Sequence, residues 1–243
     1  MTRARIITLS AISVAIAIVG AVAYFAMTDT EHPLSHTPSR TDFPVRGIDV
    51  SSHNGIIDFE KVKGDSIDFV YVKATEGATF KDRRFRRNIL DAKHAGLRVG
   101  AYHFFRFDTP GYMQGLNFLN SVRGYPLDLP LMIDIEEWAN PREYTTDAIS
   151  AQLSQMIQHL NSHGHRVILY SNKDGYERFL KERFSHLPLW ICTFSPPADD
   201  IDWTLWQYSH RGEVAGIHDK VDMNTFNGSV PEWEHWADST QLN

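Results

Sequence analysis

The chain has 243 residues, 42% of them hydrophobic and 22% charged, with 24 basic against 30 acidic side chains and a net charge of −6. A chain of this size and content can bury a full core in one domain of about 200 residues, which excludes global disorder. The acidic balance argues against nucleic acid as a partner, and a single cysteine, Cys192, excludes an intramolecular disulfide or a multi-cysteine metal site.

Arg3 and Arg5 precede residues 6–27, which carry no charge. A helix needs about 20 apolar residues to cross a bilayer, so residues 1–27 are expected to form an N-terminal hydrophobic helix that anchors the chain in a membrane. The flanking arginines place its start in the cytoplasm and everything after it outside. A cleaved signal segment is the rival, with Ala21–Ala23 as a tolerable cleavage site; its usual apolar core, about 7–15 residues, is shorter than this run. Either way the remainder is exported to the cell envelope. Residues 28–45 are polar, contain Pro33, Pro38 and Pro44, and read as a linker.

From Arg46 onward, short β-rich runs alternate with amphipathic patterns. Strands are expected over 46–52, 68–75, 97–105, 129–137, 165–172, 187–194, 204–210 and 220–227. Helices are expected over 82–96, with Phe85, Ile89, Leu90 and Lys93 near one face, over 109–122, and over 173–184. A fourth covers 145–164, capped by Thr145 or Thr146 and striped by Ile149, Leu153, Met156, Ile157 and Leu160. Strands alternating with helices favour a parallel sheet with both faces covered. About eight strands in this length point to a closed, TIM-like (β/α) barrel over 46–228, irregular and short of helices in its last third. An open doubly wound sheet is the alternative; no glycine-rich phosphate loop follows any strand to support it. Residues 229–243 read as a short acidic tail.

Active sites of such barrels gather at the C-terminal ends of the strands. The run LPLMIDIEEW, 129–138, ends there in Asp134, Glu136 and Glu137. Alternation points Asp134 and Glu136 the same way and Glu137, less clearly, the other. Asp49 lies in the first strand and Asp222 in the last, neighbours once the barrel closes. Crowded carboxylates raise at least one pKa, giving a proton donor beside a charged partner, which is the pair that glycoside hydrolysis requires. A lone Asp at a strand end is more often a helix cap; two same-facing acids ending an apolar strand are not explained that way. Tyr102, Phe104, Tyr170, Trp190, Trp206 and Tyr208 fall near strand ends, where rings can stack on sugar faces. Most are expected in the core, with Tyr102 and Trp206 the candidates for ligand contact. Metal chemistry competes, since His53 and His103 could join the aspartates, but no helical H-E-x-x-H spacing is present, and His163 and His165 fall at a helix-to-strand turn. No metal or other cofactor is expected.

The ordered pieces RGIDVSSHNGIIDFEKVK, FVYVKATEG, RFRRNILDAKHAGLRVGAYHFF, PLMIDIEEW, ILYSN, WQYS and VDMNTFNG span residues 46–228. Together they resemble the glycoside hydrolase family 25 lysozymes, N-acetylmuramidases of the Chalaropsis type. The resemblance implies an irregular β/α barrel that hydrolyses the β-1,4 bond between N-acetylmuramic acid and N-acetylglucosamine in peptidoglycan glycan strands, with retention. It implies Glu136 as general acid and Asp134 as charge stabiliser or as the group orienting the substrate's N-acetyl nucleophile. Asp49 and Asp222 would hold the site's charge and hydrogen bonding, and Tyr102, Tyr170 and Trp206 would shape sugar subsites. No wall-binding repeat follows the barrel, and with the N-terminal segment this places the expected activity at the cell's own envelope, as a monomer. A barrel that binds wall glycan without cutting it and a metal-dependent polysaccharide deacetylase are the alternatives.

Overall fold

The computed structural model describes residues 37–239, all within one compact unit. The hydrophobic segment 6–27, the first part of the linker and the last four residues lie outside the described residues. Eight strands close into a barrel in the order β1 (Arg46–Val50), β2 (Phe69–Glu76), β4 (Arg98–Phe104), β5 (Leu131–Asp134), β6 (Val167–Asn172), β7 (Leu189–Cys192), β8 (Leu205–Gly212) and β9 (Val221–Phe226), and β1 pairs with β2 to complete the ring. The two-residue β3 (Phe80–Lys81) folds back on the end of β2.

The barrel is not all parallel. β9 runs antiparallel to both β8 and β1. The chain between β8 and β9 is too short for a crossover helix, so the last strand must return by a reversal. This corrects the parallel expectation, and it matters for the site: the start of β9, carrying Asp222, lies level with the C-terminal ends of the other strands.

Helices cover the outside where the connections are long. They are α1 (Phe59–Gly64), α2 (Phe85–His94), α3 (Gly111–Val122), α4 (Thr146–Ser162) and a short α5 (Lys173–Gly175) that continues as a π-helical turn over Tyr176–Leu180. The side chain of Thr145 accepts from Ala148 N and caps α4, and the expected stripe Ile149, Leu153, Met156, Ile157 and Leu160 is buried. On α2, Phe85 and Ile89 are buried as expected, but Leu90 is exposed, because the buried face turns through Asn88 and Ala92 instead. No helix separates β7 from β8 or β8 from β9, so the shortage in the last third is as read from the sequence.

Two apolar clusters follow from strand alternation. One lies between barrel and helices; the other fills the barrel and includes Phe69, Tyr71, Met132, Ile168, Tyr170, Trp190 and Leu205. Gly47 and Gly100 make room for the interior rings. A Cβ at Gly47 would lie 2.2 Å from the Phe69 ring, and one at Gly100 would lie 2.4 Å from the Tyr71 ring.

Both domain boundaries shift. Residues 229–238 are not a solvated tail: Val230–Asp238 form α6, whose Trp233 and Ala237 are buried with Phe69 and Phe226 at the end of the barrel remote from the carboxylates. A reciprocal Ser229–Glu232 cap starts this helix. At the other boundary, Pro38 is buried and its carbonyl accepts from the buried Arg46 guanidinium. The end of the expected linker is therefore part of the barrel unit.

Candidate active site

Asp49 and Asp222 are register partners across the β1–β9 pair. Asp49 Oδ2 accepts from Asn224 Nδ2 at 2.9 Å and from Gln207 Nε2 at 3.0 Å. The orientation of both amides is fixed from below: Trp190 Nε1 donates to Asn224 Oδ1 at 3.0 Å, and the Tyr170 hydroxyl donates to Gln207 Oε1 at 2.8 Å. Each amide oxygen is occupied, so each NH2 must face Asp49. Asp222 also hydrogen-bonds Asp49, and burial and the Asp49 charge push its carboxyl well above the ordinary range. Asp222 thus keeps the proton of this pair and donates it. Asp49 is raised by burial, and these three donors oppose the rise.

Asp134 ends β5, with Phe104 and Tyr170 as register partners on either side. Its carboxyl is pushed well up by burial and then by Glu136, with Lys73 opposing. Among the described residues its Oδ1 has no hydrogen-bond partner, which is costly for a buried carboxylate oxygen unless something else meets it.

Glu136 lies two residues beyond, past the end of β5. Sheet-like pairing carries on far enough to aim it: Ile135 N donates to Tyr170 O at 2.9 Å, and Ser171 Oγ donates to Ile135 O at 2.6 Å. Burial, and then Asp49, push the Glu136 carboxyl up to about 7, while a hydrogen bond from Asn172 opposes the rise. Glu137 turns away and ion-pairs with Arg178, so it takes no part in the cluster.

Asp49, Lys73, Tyr102, Glu136, Asn172 and Asp222 are all partly exposed, whereas the interior residues one layer down, such as Tyr71, Ile168, Trp190 and Asn224, are buried. The acids therefore line a partly exposed hollow whose floor mixes apolar rings with the buried amides of Gln207 and Asn224. The Tyr102 hydroxyl is raised well above its ordinary value by burial and by Asp49, Asp134 and Asp222. It stays a neutral donor among them.

Not every expected residue joins. Tyr170 is 8% exposed and spends its hydroxyl on Gln207, so it orients the Asp49 network from beneath. Trp206 does not reach the hollow at all. Its neighbour Gln207 takes the inward position, and Trp206 is 1% exposed on the outer face against Phe43, Trp203 and Tyr208, with its Nε1 donating to Thr193 O. His103 faces outward too. Its Nδ1 accepts from Thr75 Oγ1 at 2.7 Å, its Nε2 donates to Gln114 Oε1 at 3.0 Å, and burial lowers its pKa to about 4. It is a neutral structural residue, and His53 is exposed.

The sequence reading missed four polar residues at the hollow: Lys73, Asn172, Gln207 and Asn224. Lys73 projects with Nζ 2.9 Å from Glu76 and 5.2 Å from the Phe104 ring centre. The available signals were a lysine inside the apolar run FVYVKAT and the same-face spacing of Asp222 with Asn224.

A mixed, closed barrel with carboxylates clustered at one end, one of them pushed up to about 7, carries the acid pair that glycoside hydrolysis uses. Residues 48–217 match the model of the glycosyl hydrolases family 25, and the chain belongs to that family. It is 33% identical over 188 residues to the autolytic lysozyme of Clostridium acetobutylicum, covering 76% of this chain and 57% of that enzyme's length. It is 33% identical over 216 residues to lysozyme M1 of Streptomyces globisporus, covering 81% of this chain and 72% of that one. A family 25 glycosyl hydrolase from Bacillus anthracis superposes with a TM-score of 0.78 at 34% identity, over 86% of this chain and 99% of that one.

Proposed function

We propose that the chain is an N-acetylmuramidase that hydrolyses the β-1,4 bond between N-acetylmuramic acid and N-acetylglucosamine in peptidoglycan. The family and the lysozyme relatives support muramidase activity. The observation that carries the residue roles is the pairing of Glu136, pushed up to about 7, with Asp134, whose Oδ1 has no donor among the described residues.

In this reading Glu136 gives its proton to the glycosidic oxygen as the bond to the anomeric carbon breaks. Asp134 holds the substrate N-acetyl group so that its carbonyl oxygen attacks or, once ionised, opposes the positive charge that develops there. Glu136, now a carboxylate, takes a proton from the water that completes hydrolysis, and the enzyme returns to its starting state with retention. The charge of Asp49, with Asp222 as its hydrogen-bond donor, helps hold Glu136 protonated, and Tyr102 donates to the sugar. No cofactor is required. A trapped sugar ester on Asp134 would mark it as the nucleophile; its absence, with inhibition by a cyclised N-acetyl analogue, would mark substrate assistance.

Glu136→Gln is expected to abolish turnover with the fold retained. Clearing of cell-wall suspensions at the wild-type rate would remove Glu136 from the role. Residues 6–27 are proposed to anchor the monomeric enzyme in the membrane with the barrel outside; a mature N-terminus beginning after Ala23 would replace the anchor by a cleaved signal.

A further inference from the structure

Glu136 poses a mechanical problem. It stands beyond the last residue of β5, in a loop that runs to the start of α4, yet an acid must be held closely to protonate a leaving oxygen. The ladder that aims it ends at Ile135. What holds the next residue is Asn140.

The Asn140 carboxamide makes three hydrogen bonds, all to main chain, and both of its donors are used. Nδ2 donates to Glu136 O at 2.8 Å and to Phe105 O at 2.9 Å, and Oδ1 accepts from Phe107 N at 2.9 Å. It therefore ties the backbone of the acid to the loop that follows β4. That loop is pinned in turn by the buried Gln114, whose Oε1 accepts from Arg106 N at 2.8 Å and whose Nε2 donates to Arg106 O at 2.9 Å and Thr109 O at 2.8 Å. Gln114 is fixed by His103, and His103 by Thr75 on β2. The loop around Glu136 also holds a conformation its sequence disfavours. Ala139, next to Asn140, sits at φ 58°, in the left-handed region that costs a residue with a Cβ. Its carbonyl accepts from Arg106. Such a shape persists only where neighbours enforce it, and Asn140 and Arg106 supply the ties.

We infer that Asn140 is a positioning residue for the catalytic acid: its carboxamide fixes the main chain of Glu136 to the β4 loop and sets where the acid's carboxyl sits in the hollow. This rests on the proposed role of Glu136. It predicts a loss expressed in the chemical step rather than in substrate affinity.

The test compares full-length Asn140→Ala, Asn140→Asp and Glu136→Gln on soluble glycan fragments of peptidoglycan, reading kcat, KM, the pH profile of kcat/KM and Tm. Asn140→Asp keeps the size and the acceptor for Phe107 N but loses both donors, so it separates the tie from packing. Both Asn140 variants are expected to lose at least tenfold in kcat with KM changed less than twofold. The alkaline limb should move to lower pH, because a freed Glu136 is better solvated and gives up its proton more easily. Unchanged kcat and pH profile in both, even with a lower Tm, would overturn the proposal, and so would failure of both variants to fold, which would make Asn140 structural only. If Glu136→Gln keeps its turnover, the acid assignment falls, and this proposal falls with it. If Glu136→Gln is inactive while the Asn140 variants are normal, only the positioning role is lost.

Discussion

Asp49 and Asp222 face each other across the first and last strands, and Asp222 keeps its proton and donates a hydrogen bond to Asp49. Two amides whose oxygens are already engaged complete the set around Asp49. The pair lies beside Glu136 and, by its charge, makes ionisation of that acid harder. Asp49→Asn is therefore expected to lower the pKa of Glu136. Measured as kcat/KM against pH, the alkaline limb should shift down and the rate at pH 7 should fall by tenfold or more; an unmoved limb would contradict the coupling.

The carboxylates of the hollow make the fold less stable as pH rises. Asp49, Asp134, Asp222 and Glu136 all have native pKa values raised above their unfolded ones. A raised group contributes stability that is fully present below its unfolded pKa and lost as pH rises through its native one. For Glu136, moved from 4.5 to about 7, that is up to about 3 kcal/mol. Glu136→Gln should accordingly be more stable than wild type at pH 8, with a smaller difference at pH 5. Urea unfolding at the two pH values measures this, and a variant less stable at pH 8 would contradict it.

His103 acts in the opposite direction. Its pKa is lowered to about 4, so the unfolded chain binds its proton first and stability falls as pH drops from about 6.5 towards 4. His103→Leu should remove that dependence while leaving Thr75 and Gln114 without a shared partner, at a cost of about 1–3 kcal/mol at pH 7. Denaturation midpoints of both proteins across pH 4–7 test the sign.

Trp206 and Tyr102 separate packing from catalysis. Trp206→Ala empties a buried outer site and should cost about 3–5 kcal/mol of stability, while the surviving folded protein keeps its KM. Tyr102→Phe should leave Tm nearly unchanged and reduce kcat/KM, since it removes a hydroxyl held among the acids. The reverse pattern would restore Trp206 as a sugar contact.

The segment 229–238 is expected to be indispensable. Trp233 is 2% exposed and its ring lies 4.8 Å from that of Phe69. Trp233→Ala should lower the unfolding free energy by about 3–5 kcal/mol; a shift below about 1 kcal/mol would mean that α6 is an ornament on the barrel.

Much of this is legible in the sequence alone. Strand alternation gave Asp134 and Glu136 a common face, and closure gave the Asp49–Asp222 approach, because both are consequences of the two-residue period and of ring topology. Parity failed for Trp206 in the run TLWQYSH: expected as a sugar contact, it points outward, and Gln207 takes the inward position in register with Asn224 of β9. The direction of β9 follows from the short chain between Gly212 and Val221, which has no room for the crossover helix that a parallel strand needs. α6 was hidden by its acidic composition: two tryptophans within PEWEHWAD are spaced for one helical face, and burial falls on that face. The ties around Asn140 and Gln114 are long-range hydrogen bonds, which no local pattern encodes.

The most direct measurement is mass analysis of the products released from purified peptidoglycan by the wild-type chain and by Glu136→Gln. The account predicts fragments whose new reducing end is N-acetylmuramic acid, formed by the wild type and absent with the variant. Reducing-end N-acetylglucosamine, or the same fragments from Glu136→Gln, would contradict it.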